Sequence, residues 1–461
     1  MDDMAIASTV TRQRQFFKSG QTLPIEFRLR QLQKIKSLLQ LFQADILKAL
    51  KQDLNKSEIE AQMTELMLIN HEINFMIKHL KRWAQPQKVP SGFPFLWPGR
   101  SRIYYRPYGL VVIIGAWNYP LLLTLSPLIG ALSAGNCVIV KPSEVAGHTQ
   151  NLILKMINDH FPSEYVTVLS GGPSIVNSLL KEKFDYIFFT GNPNTAKIIL
   201  QASTKYLTPC TLELGGKSPC IIDQSANLDY AVRRITWAKT INAGQTCIAP
   251  DYLYIHASLK DVFVDKFRQT VYQFFGKTVH QSDNYGRIIN DRHFLRIKNL
   301  MSQGRILCGG ENNQATRFIA PTLIDDISWQ DPIMQEEIFG PLLPIFTFQE
   351  IDEVISVIRN QPKPLALYLF TNQKTQQKKL LEQVSFGGGC INDCMMQVTN
   401  PHLPFGGVGL SGMGVYHGKY SFETFSHRQS IFKKTFLKDF ALIYPPFLKR
   451  KRWWLKRLLG F

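Results

Sequence analysis

Hydrophobic and polar positions along the chain follow a helical pattern first and a mixed pattern later. Across residues 23–83, apolar side chains recur at helical spacing, and this period predicts two long amphipathic helices. The stretch 86–98 that follows is rich in proline, glycine and aromatic residues, and such a composition excludes a helix. We therefore expect a helical N-terminal region and then a connector that crosses the surface.

From Tyr108 onward, short runs rich in Val, Ile and Phe alternate with helical runs. The predicted strands are Leu110–Ile114, Cys137–Val140, Tyr165–Leu169 and Asp185–Phe189, and the predicted helices are Leu121–Ala134, Thr149–His160, Ile175–Leu180 and Thr195–Ser203. Alternation of this kind predicts a parallel, doubly wound sheet with helices on both faces. Ligands bind at the carboxyl ends of such strands, so the turns that follow them are the places to search for a site.

A second alternating series continues to about residue 385. Its predicted strands are Thr211–Leu214, Cys220–Ile222, Tyr252–Ile255 and Leu342–Phe348, and its predicted helices are Leu228–Thr240 and Leu259–Phe275. The predicted fold class is therefore α/β, with two doubly wound domains in tandem.

Composition agrees with a folded protein and narrows its location. Hydrophobic residues make up 45 % of the 461 residues, far more than in a disordered chain. The N-terminus opens with two acids and has no secretory pattern, and no apolar run reaches the ~18 residues of a spanning helix; we expect a cytoplasmic protein. The seven cysteines contain no CxxC pair, so we expect neither a disulfide framework nor a metal site.

Polar residues follow three of the predicted strands. Asn118 lies in the turn after the first strand, where its amide can donate to a developing oxyanion or simply form the turn. Lys141 and Glu144 follow the second strand and suit ribose hydroxyls. Gly191 opens a helix after the fourth strand, where free N–H groups can face a pyrophosphate, although Ala196 stands five positions later and the spacing is not GxGxxG.

Three further segments carry candidate chemistry. Glu213 lies on an apolar strand before two glycines, and burial would raise its pKa and favour a general base. Cys247 ends the small-residue loop NAGQTC, and Glu337 and Phe339 lie in EEIFGP before a strand. Each segment alone also fits an ordinary structural role.

Taken in order, five motifs resemble those of the NAD(P)-dependent aldehyde dehydrogenase superfamily. They are the Asn118 turn, LELGGKSP, GQTC, EEIFGP and the late PFGGVGLSG. The resemblance covers about residues 10–430, and the Trp-Asn-Tyr-Pro turn with the extended C-terminus resembles the class 3, or fatty aldehyde, branch. It implies a Rossmann-like cofactor domain, a catalytic domain, an oligomerisation arm with an active-site loop, and a basic tail; their bounds would be 1–85 with 107–213, 214–395, 86–106 with 396–431, and 432–461.

The resemblance also implies a role for each candidate residue. Cys247 would be the nucleophile, Asn118 and the backbone N–H of Cys247 would hold the oxyanion, and Glu213 would activate the water that hydrolyses a thioester. Lys141 and Glu144 would hold the adenosine ribose, and Glu337 the nicotinamide ribose. The full cofactor-binding set would be Trp117, Lys141, Glu144, Gly191, Glu337 and Phe339. Ala196 replaces a glycine of the family pattern, and we expect its methyl group to tighten the pyrophosphate turn.

The implied activity is oxidation of medium- or long-chain apolar aldehydes to carboxylic acids by a homodimer. NAD is the expected cofactor, with NADP usable, because Glu144 accepts hydroxyls and would repel a 2′-phosphate. One alternative is a CoA-acylating dehydrogenase, against which the retained Glu213 argues. The other is a non-catalytic, membrane-associated scaffold, against which the intact set of Asn118, Glu213, Cys247 and Glu337 argues.

The formal charge of +18 is concentrated at the C-terminus. The last 29 residues hold nine Lys and Arg and one Asp, which leaves +10 on the other 432 residues. At helical spacing one side of the tail is apolar: Phe447, Leu448, Trp454, Leu455, Leu458, Leu459 and Phe461. Such a segment suits an anionic membrane surface, or it packs on its own dimer, or it covers the substrate entrance. No nucleic-acid-binding motif accompanies the charge, so we expect no nucleic-acid partner.

Overall fold

The computed structural model describes residues 3–92, 96–436 and 439–460. The α-helices of these residues, α1 to α17 in chain order, span Asp3–Lys18, Ile25–Leu41, Gln43–Leu54, Glu58–Ala61, Met67–Trp83, Leu122–Ala134, Gly147–Asn158, Pro173–Lys181, Pro193–Ser203, Leu228–Thr240, Lys260–Phe275, Asp291–Met301, Pro332–Gln335, Ile351–Arg359, Lys374–Gln383, Lys419–Thr424 and Lys449–Leu459. A π-helical turn at Gln62–Leu66 separates α4 from α5.

The β-strands of the same residues, β1 to β18 in chain order, span Gln87–Val89, Arg100–Pro107, Leu110–Ile114, Cys137–Lys141, Val166–Val168, Tyr186–Thr190, Cys210–Glu213, Pro219–Ile222, Tyr252–His256, Arg305–Cys308, Asn312–Asn313, Phe318–Ile319, Thr322–Asp325, Leu342–Phe348, Ala366–Phe370, Gly388–Ile391, Gly412–Met413 and Ser426–Lys433.

Two larger sheets organise the molecule. The first has the order β17-β7-β6-β3-β4-β5 and is parallel except for β17. The second has the order β10-β13-β14-β9-β8-β15-β16 and is parallel except for β10. Every residue of β3, β4 and β15 is buried, as expected where helices cover both faces of a parallel sheet.

Each sheet has its own hydrophobic core. The first core is built from residues between 6 and 214 with three late additions, Tyr416, Phe422 and Phe425. The second is built from residues between 220 and 395. Phe405 packs against both. The chain therefore forms two α/β units, one around each of these sheets, in agreement with the predicted α/β fold class.

A small antiparallel sheet projects from these two α/β units. Its order is β1-β2-β18, and β18 pairs with β2 along its whole length. Seven of the eight residues of β18 are exposed. The predicted connector 86–98 supplies β1, and its residues 93–95 lie outside the described part of the chain.

The elements predicted within the two alternating series are confirmed to within two residues at each end, but two other expectations are corrected. Residues 23–83 do not form two long helices: the chain breaks at Phe42 and again at Asn55, which has a φ of 54°. The predicted strand at 211–214 does not open the second sheet. It is observed as β7, and it pairs in parallel with β6 of the first sheet.

The C-terminal tail forms the predicted helix over Lys449–Leu459, and none of its residues is buried. Trp453 and Trp454 are 53 % and 43 % exposed, and their rings lie 4.9 Å apart. Phe461 of the predicted apolar side lies outside the described residues. Within the described ranges, no helix combines the length and the apolar character needed to cross a bilayer.

Candidate active site

A cleft of about 1080 Å³ opens where the two α/β units meet. It is lined by the last residues of four strands of the first sheet: Ile114, Lys141, Thr190 and Glu213. All nine predicted site residues line it: Trp117, Asn118, Lys141, Glu144, Gly191, Glu213, Cys247, Glu337 and Phe339. The predicted location at the carboxyl ends of the strands therefore agrees with the structure, except that the turn directly after Leu169 contributes no lining residue.

Cys247 reaches the cleft through a turn with unusual backbone geometry. After α10 the chain passes through Asn242, Ala243 and Gly244, with φ of 51°, 51° and 74°. A Cβ at Gly244 would lie 2.3 Å from the carbonyl oxygen of Gly340, so only glycine fits there. This left-handed path redirects the chain from the helix into the cleft.

The side chain of Gln245 fixes the loop that carries Cys247. Its Nε2 donates to the carbonyl oxygens of Asn242 and Arg287, both at 2.9 Å. Its Oε1 accepts from the backbone N–H of Ile289 at 3.0 Å. Because the side chain is fully buried, these bonds do not compete with water, and the loop is held in one conformation.

The thiol of Cys247 is protonated in this environment. Burial, followed by the nearby carboxyl groups of Glu337 and Glu213, raises the pKa of Cys247. The backbone N–H groups of Cys247 and Ile248 act in the opposite direction, since both donate toward the sulfur and favour the thiolate. The loop therefore already presents donors to negative charge at this point.

Asn118 lies beside this loop with a free N–H. The side chain is buried, and its Nδ2 donates to the carbonyl oxygen of Gln245 at 3.1 Å. The carbonyl oxygen of Asn118 accepts from Nδ2 of Asn242 at 2.8 Å. A primary amide carries two N–H groups, so the second one is available to an oxygen bound in the cleft.

Glu213 is a buried carboxyl group without partners. It ends β7, and within the described chain neither of its side-chain oxygens has a hydrogen-bond partner. Burial raises the pKa of Glu213 well above its ordinary value. Burial therefore favours the neutral carboxyl group, and the raised pKa makes the ionised form a strong proton acceptor.

Glu337 lies against the two glycines that follow Glu213. The backbone N–H of Gly216 donates to its carboxylate, and burial followed by the charge of Asp251 raises the pKa of Glu337 to about 8. A Cβ at Gly215 would lie 1.8 Å from Oε2 of Glu337. The glycine pair thus leaves the space that this carboxyl group occupies.

The other end of the cleft presents charged and hydroxyl groups. Nζ of Lys141 and Oε2 of Glu144 form an ion pair, in which the Lys141 side chain is 3 % exposed and that of Glu144 is 37 % exposed. The hydroxyl of Thr190 is buried without a partner beside Gly191. Helix α9 begins next to them, and Asn192 caps it by accepting from the N–H of Thr195 at 3.0 Å.

Aromatic rings cover the middle of the cleft. The Trp117 ring lies 5.2 Å from that of Phe339 and 4.9 Å from that of His293. Burial, followed by the charges of Arg296 and Arg292, lowers the pKa of His293 to about 4. His293 is therefore neutral at physiological pH and packs as an aromatic ring.

These groups suit a nicotinamide dinucleotide better than a metal ion. One end offers an ammonium, a carboxylate and an unpartnered hydroxyl for ribose and phosphate, and the other offers flat rings beside Cys247. Among the described residues no group of three or more His, Cys, Asp or Glu side chains is arranged to hold a metal ion.

The structure adds residues that motif analysis did not single out and corrects one expectation. Tyr416 and His293 line the cleft; neither belongs to a motif, and only the chain fold brings them there. Ala196 was expected to tighten the pyrophosphate turn. It is 3 % exposed in the first core and does not line the cleft, so its methyl group does not narrow the cleft.

Comparison with known proteins agrees with the geometry. The sequence model of the aldehyde dehydrogenase family matches residues 1–431. The chain is 45 % identical over 435 residues to 4,4'-diaponeurosporen-aldehyde dehydrogenase of Staphylococcus aureus, covering 94 % of each protein. It is 45 % identical over 452 residues to aldehyde dehydrogenase family 3 member A2 of Macaca fascicularis, covering 98 % of this chain and 93 % of the relative. The solved substrate-bound state of Staphylococcus aureus AldH has a TM-score of 0.96 at 43 % identity and covers 98 % of this chain and 99 % of that one.

Proposed function

Because the chain belongs to the aldehyde dehydrogenase family and is an aldehyde dehydrogenase, we propose that it oxidises medium- and long-chain apolar aldehydes to carboxylic acids with Cys247 as the nucleophile. The observation that carries this proposal is the convergence of Cys247, Asn118 and Glu213 on one cleft. These three groups supply a sulfur nucleophile, an oxyanion donor and a general base.

In the first half-reaction the sulfur of Cys247 adds to the aldehyde carbonyl carbon after the thiol proton passes to solvent. The carbonyl oxygen becomes negative, and the free N–H of Asn118 and the backbone N–H of Cys247 stabilise it. When bound, the nicotinamide supplies the hydride acceptor that the oxidation requires. The oxidised carbon stays attached to Cys247 as a thioester.

In the second half-reaction Glu213, once it has released its own proton to solvent, accepts a proton from a water molecule. The resulting hydroxide attacks the thioester carbon, the carbon–sulfur bond breaks, and the carboxylic acid leaves. The support is the unpartnered state of both Glu213 oxygens together with its raised pKa, since a base must have free lone pairs and a high affinity for the proton.

Members of the family use NAD or NADP, and we propose that this chain prefers NAD. The Lys141–Glu144 pair would hold the adenosine ribose, Glu337 the nicotinamide ribose, and Trp117, Gly191 and Phe339 would lie against the cofactor. The exposed carboxylate of Glu144 would repel a 2′-phosphate. Specificity constants for both cofactors test this: a higher value with NADP would refute the preference.

The apolar substrate class is supported by the cleft itself. Phe405, Leu410 and Tyr416 are among its lining residues, and apolar walls favour apolar ligands. The name of the S. aureus relative, 4,4'-diaponeurosporen-aldehyde dehydrogenase, is consistent with such a substrate. A chain-length series of alkanals, together with an isoprenoid aldehyde, measures this preference directly.

We also propose that the tail binds anionic membrane surfaces. Helix α17 places two exposed tryptophans beside clustered Lys and Arg, a combination that suits the interface of an anionic bilayer. Co-sedimentation with anionic vesicles compares the intact chain with a truncation at about Lys433. Equal pelleting of the two proteins would refute the proposal and leave packing on a dimer or over the substrate entrance.

Assembly as a homodimer is proposed as well. In the part of the chain that the structure describes, the exposed strand β18 is an edge strand of its sheet, and such an edge readily pairs with another chain. Light scattering of the purified protein at several concentrations would give the mass in solution, and a monomer throughout would refute assembly.

The central test is the variant Cys247→Ala with Cys308→Ala as its matched control. Cys308 is a half-buried thiol outside the cleft, so its removal should leave aldehyde oxidation intact. Loss of cofactor reduction in Cys247→Ala alone is the expected result, and full activity in that variant would overturn the mechanism. Release of an acyl-CoA when CoA is added would instead favour the CoA-acylating alternative.

A further inference from the structure

A fully buried ion pair lies beneath the cleft, outside the catalytic groups named so far. Nζ of Lys56 and Oε1 of Glu65 are 2.6 Å apart, and both side chains are 0 % exposed. Removing two charges from water costs about as much free energy as their attraction returns, so a buried pair is weak evidence for a purely stabilising role. What else the two side chains contact therefore indicates their purpose.

Lys56 contacts the segment that carries the oxyanion donor. Its ammonium lies 3.4 Å from the carbonyl oxygen of Asn118 and 4.0 Å from the ring centroid of Tyr119. The same carbonyl oxygen accepts from Nδ2 of Asn242 in the nucleophile loop. The backbone of Asn118 is thus held from two sides, by Lys56 and by that loop.

Glu65 holds the other end of the same turn. Its Oε2 accepts from the backbone N–H groups of Leu121 at 2.9 Å and Leu122 at 3.1 Å. These N–H groups lie at the start of α6, where helical donors lack partners and a negative charge is favoured. The ion pair therefore fixes the turn at both Asn118 and the helix that follows it.

Two further bonds connect this region to the nucleophile loop. The hydroxyl groups of Tyr119 and Thr246 are 2.6 Å apart, and Thr246 directly precedes Cys247. Oε1 of Glu60 accepts from the backbone N–H of Asn242 at 2.7 Å. The segment 56–65 thus contacts the oxyanion turn and, through Tyr119 and Asn242, the loop that carries the sulfur.

The π-helical turn Gln62–Leu66 explains how one short segment reaches both. A π-helical turn is wider than an α-helical one, and such turns occur frequently at functional sites. Glu60 and Glu65 lie five positions apart and still face the same region, as their bonds to Asn242 and Leu121 require.

We propose that Lys56 and Glu65 are positioning residues that set the distance between the Asn118 amide and the Cys247 sulfur. This inference rests on the roles proposed above for Asn118 and Cys247. Neither side chain touches the substrate, and both act through the backbone of the turn 118–122. Since a displacement of about 1 Å costs on the order of 100-fold in rate, the pair controls turnover rather than binding.

The test compares Lys56→Met, Glu65→Gln and the double variant with wild type. Lys260→Met serves as the matched control, because Lys260 also pairs with a buried aspartate, Asp325 at 2.7 Å, but lies outside the cleft lining. Measurements are kcat and KM for an alkanal, cofactor affinity, the thermal midpoint, and the rate at which iodoacetamide alkylates Cys247.

Lys56→Met leaves a buried carboxylate without its counter-charge, so both the thermal midpoint and kcat should fall. The double variant removes both charges and should recover the midpoint. In the double variant the amide oxygen introduced at position 65 still accepts from the N–H groups at the start of α6, but the carbonyl oxygen of Asn118 no longer has an ammonium group beside it. We expect kcat about tenfold or more below wild type, with KM within about twofold, a changed alkylation rate at Cys247, and a normal kcat for Lys260→Met.

A double variant with wild-type kcat and a recovered thermal midpoint would overturn the inference, because the pair would then be structural only. If the Lys56 variants do not fold, Glu65→Gln decides, since it removes the charge of the pair and keeps an oxygen that can accept from the start of α6; wild-type kcat in that variant would overturn the inference too. Failure of the proposed function is distinguishable: wild type would not oxidise aldehydes, or Cys247→Ala would remain active.

Discussion

At the scale of single residues, the cleft brings together two acids whose protons are hard to remove. Burial raises the pKa of both Cys247 and Glu213, so it favours the protonated form of both groups. The neutral carboxyl group prevents repulsion when negative charge forms on the substrate oxygen. Once ionised, the same group is more basic than an exposed glutamate. Burial therefore serves both half-reactions.

The variant Glu213→Gln should separate the two half-reactions. Acylation should continue, giving one rapid equivalent of reduced cofactor, while steady-state turnover should fall about 10²- to 10⁴-fold because a general base is lost. Wild-type thioester hydrolysis should accelerate as pH rises toward the raised pKa of Glu213, and the variant should lose this dependence. Stopped-flow kinetics and mass detection of the acylated protein measure both; unchanged steady-state turnover would contradict the role.

The variant Asn118→Ala removes the side-chain donor proposed for the oxyanion. We expect kcat to fall about 10²- to 10³-fold, the cost of one such donor in a site from which water is excluded, with a smaller change in cofactor affinity. Asn151→Ala, at an exposed position of α7 outside the cleft, is the control and should match wild type. Equal kcat values for the two variants would exclude Asn118 from the reaction.

At the scale of elements, the buried strands and the helical character of residues 23–83 were predictable, and the breaks between the N-terminal helices were not. Runs such as Leu110–Ile114 are buried on both faces, so their apolar character alone identifies them. The break at Phe42 carries no proline or glycine, so the helical period continues across it in the sequence. The motifs located the cleft residues, but Tyr416 reaches the cleft, and Lys56 and Glu65 reach the Asn118 turn, only through packing between distant segments, which no local pattern records.

Glu72 joins α5 to the late segment and should make stability depend on pH. It is 7 % exposed, accepts from the N–H of Gly418 at 3.0 Å and from Oγ of Ser421 at 3.2 Å, and burial raises its pKa from 4.5 to about 7. Between these pH values the folded protein keeps a proton that the unfolded chain has lost, so this group's contribution to the free energy of unfolding falls as pH rises.

We therefore expect Glu72→Gln to gain stability relative to wild type as pH rises from 4.5 to 7, by at most about 3 kcal/mol. Denaturant titrations at several pH values measure the difference. Glu58→Gln, at an exposed position of α4, should show no such trend. A constant difference between Glu72→Gln and wild type across this range would contradict the raised pKa of Glu72.

At the scale of the whole molecule, the densest positive charge lies in the C-terminal tail, whose residues do not line the catalytic cleft. The tail carries +8 of the formal +18, and none of the residues of α17 is buried. Charge that lies outside the two α/β units affects where the protein binds and how fast it meets charged partners, rather than its fold. The catalytic cleft should therefore work equally well with or without the tail on a water-soluble substrate.

Vesicle binding by the tail should weaken as salt rises, because screening shortens the Debye length from about 10 Å at 0.1 M to about 3 Å at 1 M. A double variant Trp453→Ala and Trp454→Ala should bind more weakly at every salt concentration, since it loses apolar contact with the interface. Sedimentation across a salt series measures both effects. Binding that is independent of salt would contradict an electrostatic attachment.

The proposed nucleophile and the proposed oxyanion donor and general base belong to different cores. Asn118 and Glu213 are carried by the sheet of the first core, whereas Cys247 follows a helix of the second. If a chaotrope unfolds one core before the other, the partly unfolded protein should keep about half of its circular dichroism signal but should have no turnover. The loss of enzymatic activity should therefore report the unfolding of whichever core unfolds first. A chimaera that takes one core from a relative will be active only where the exchanged surfaces restore the same distance between the Cys247 sulfur and the Glu213 carboxylate.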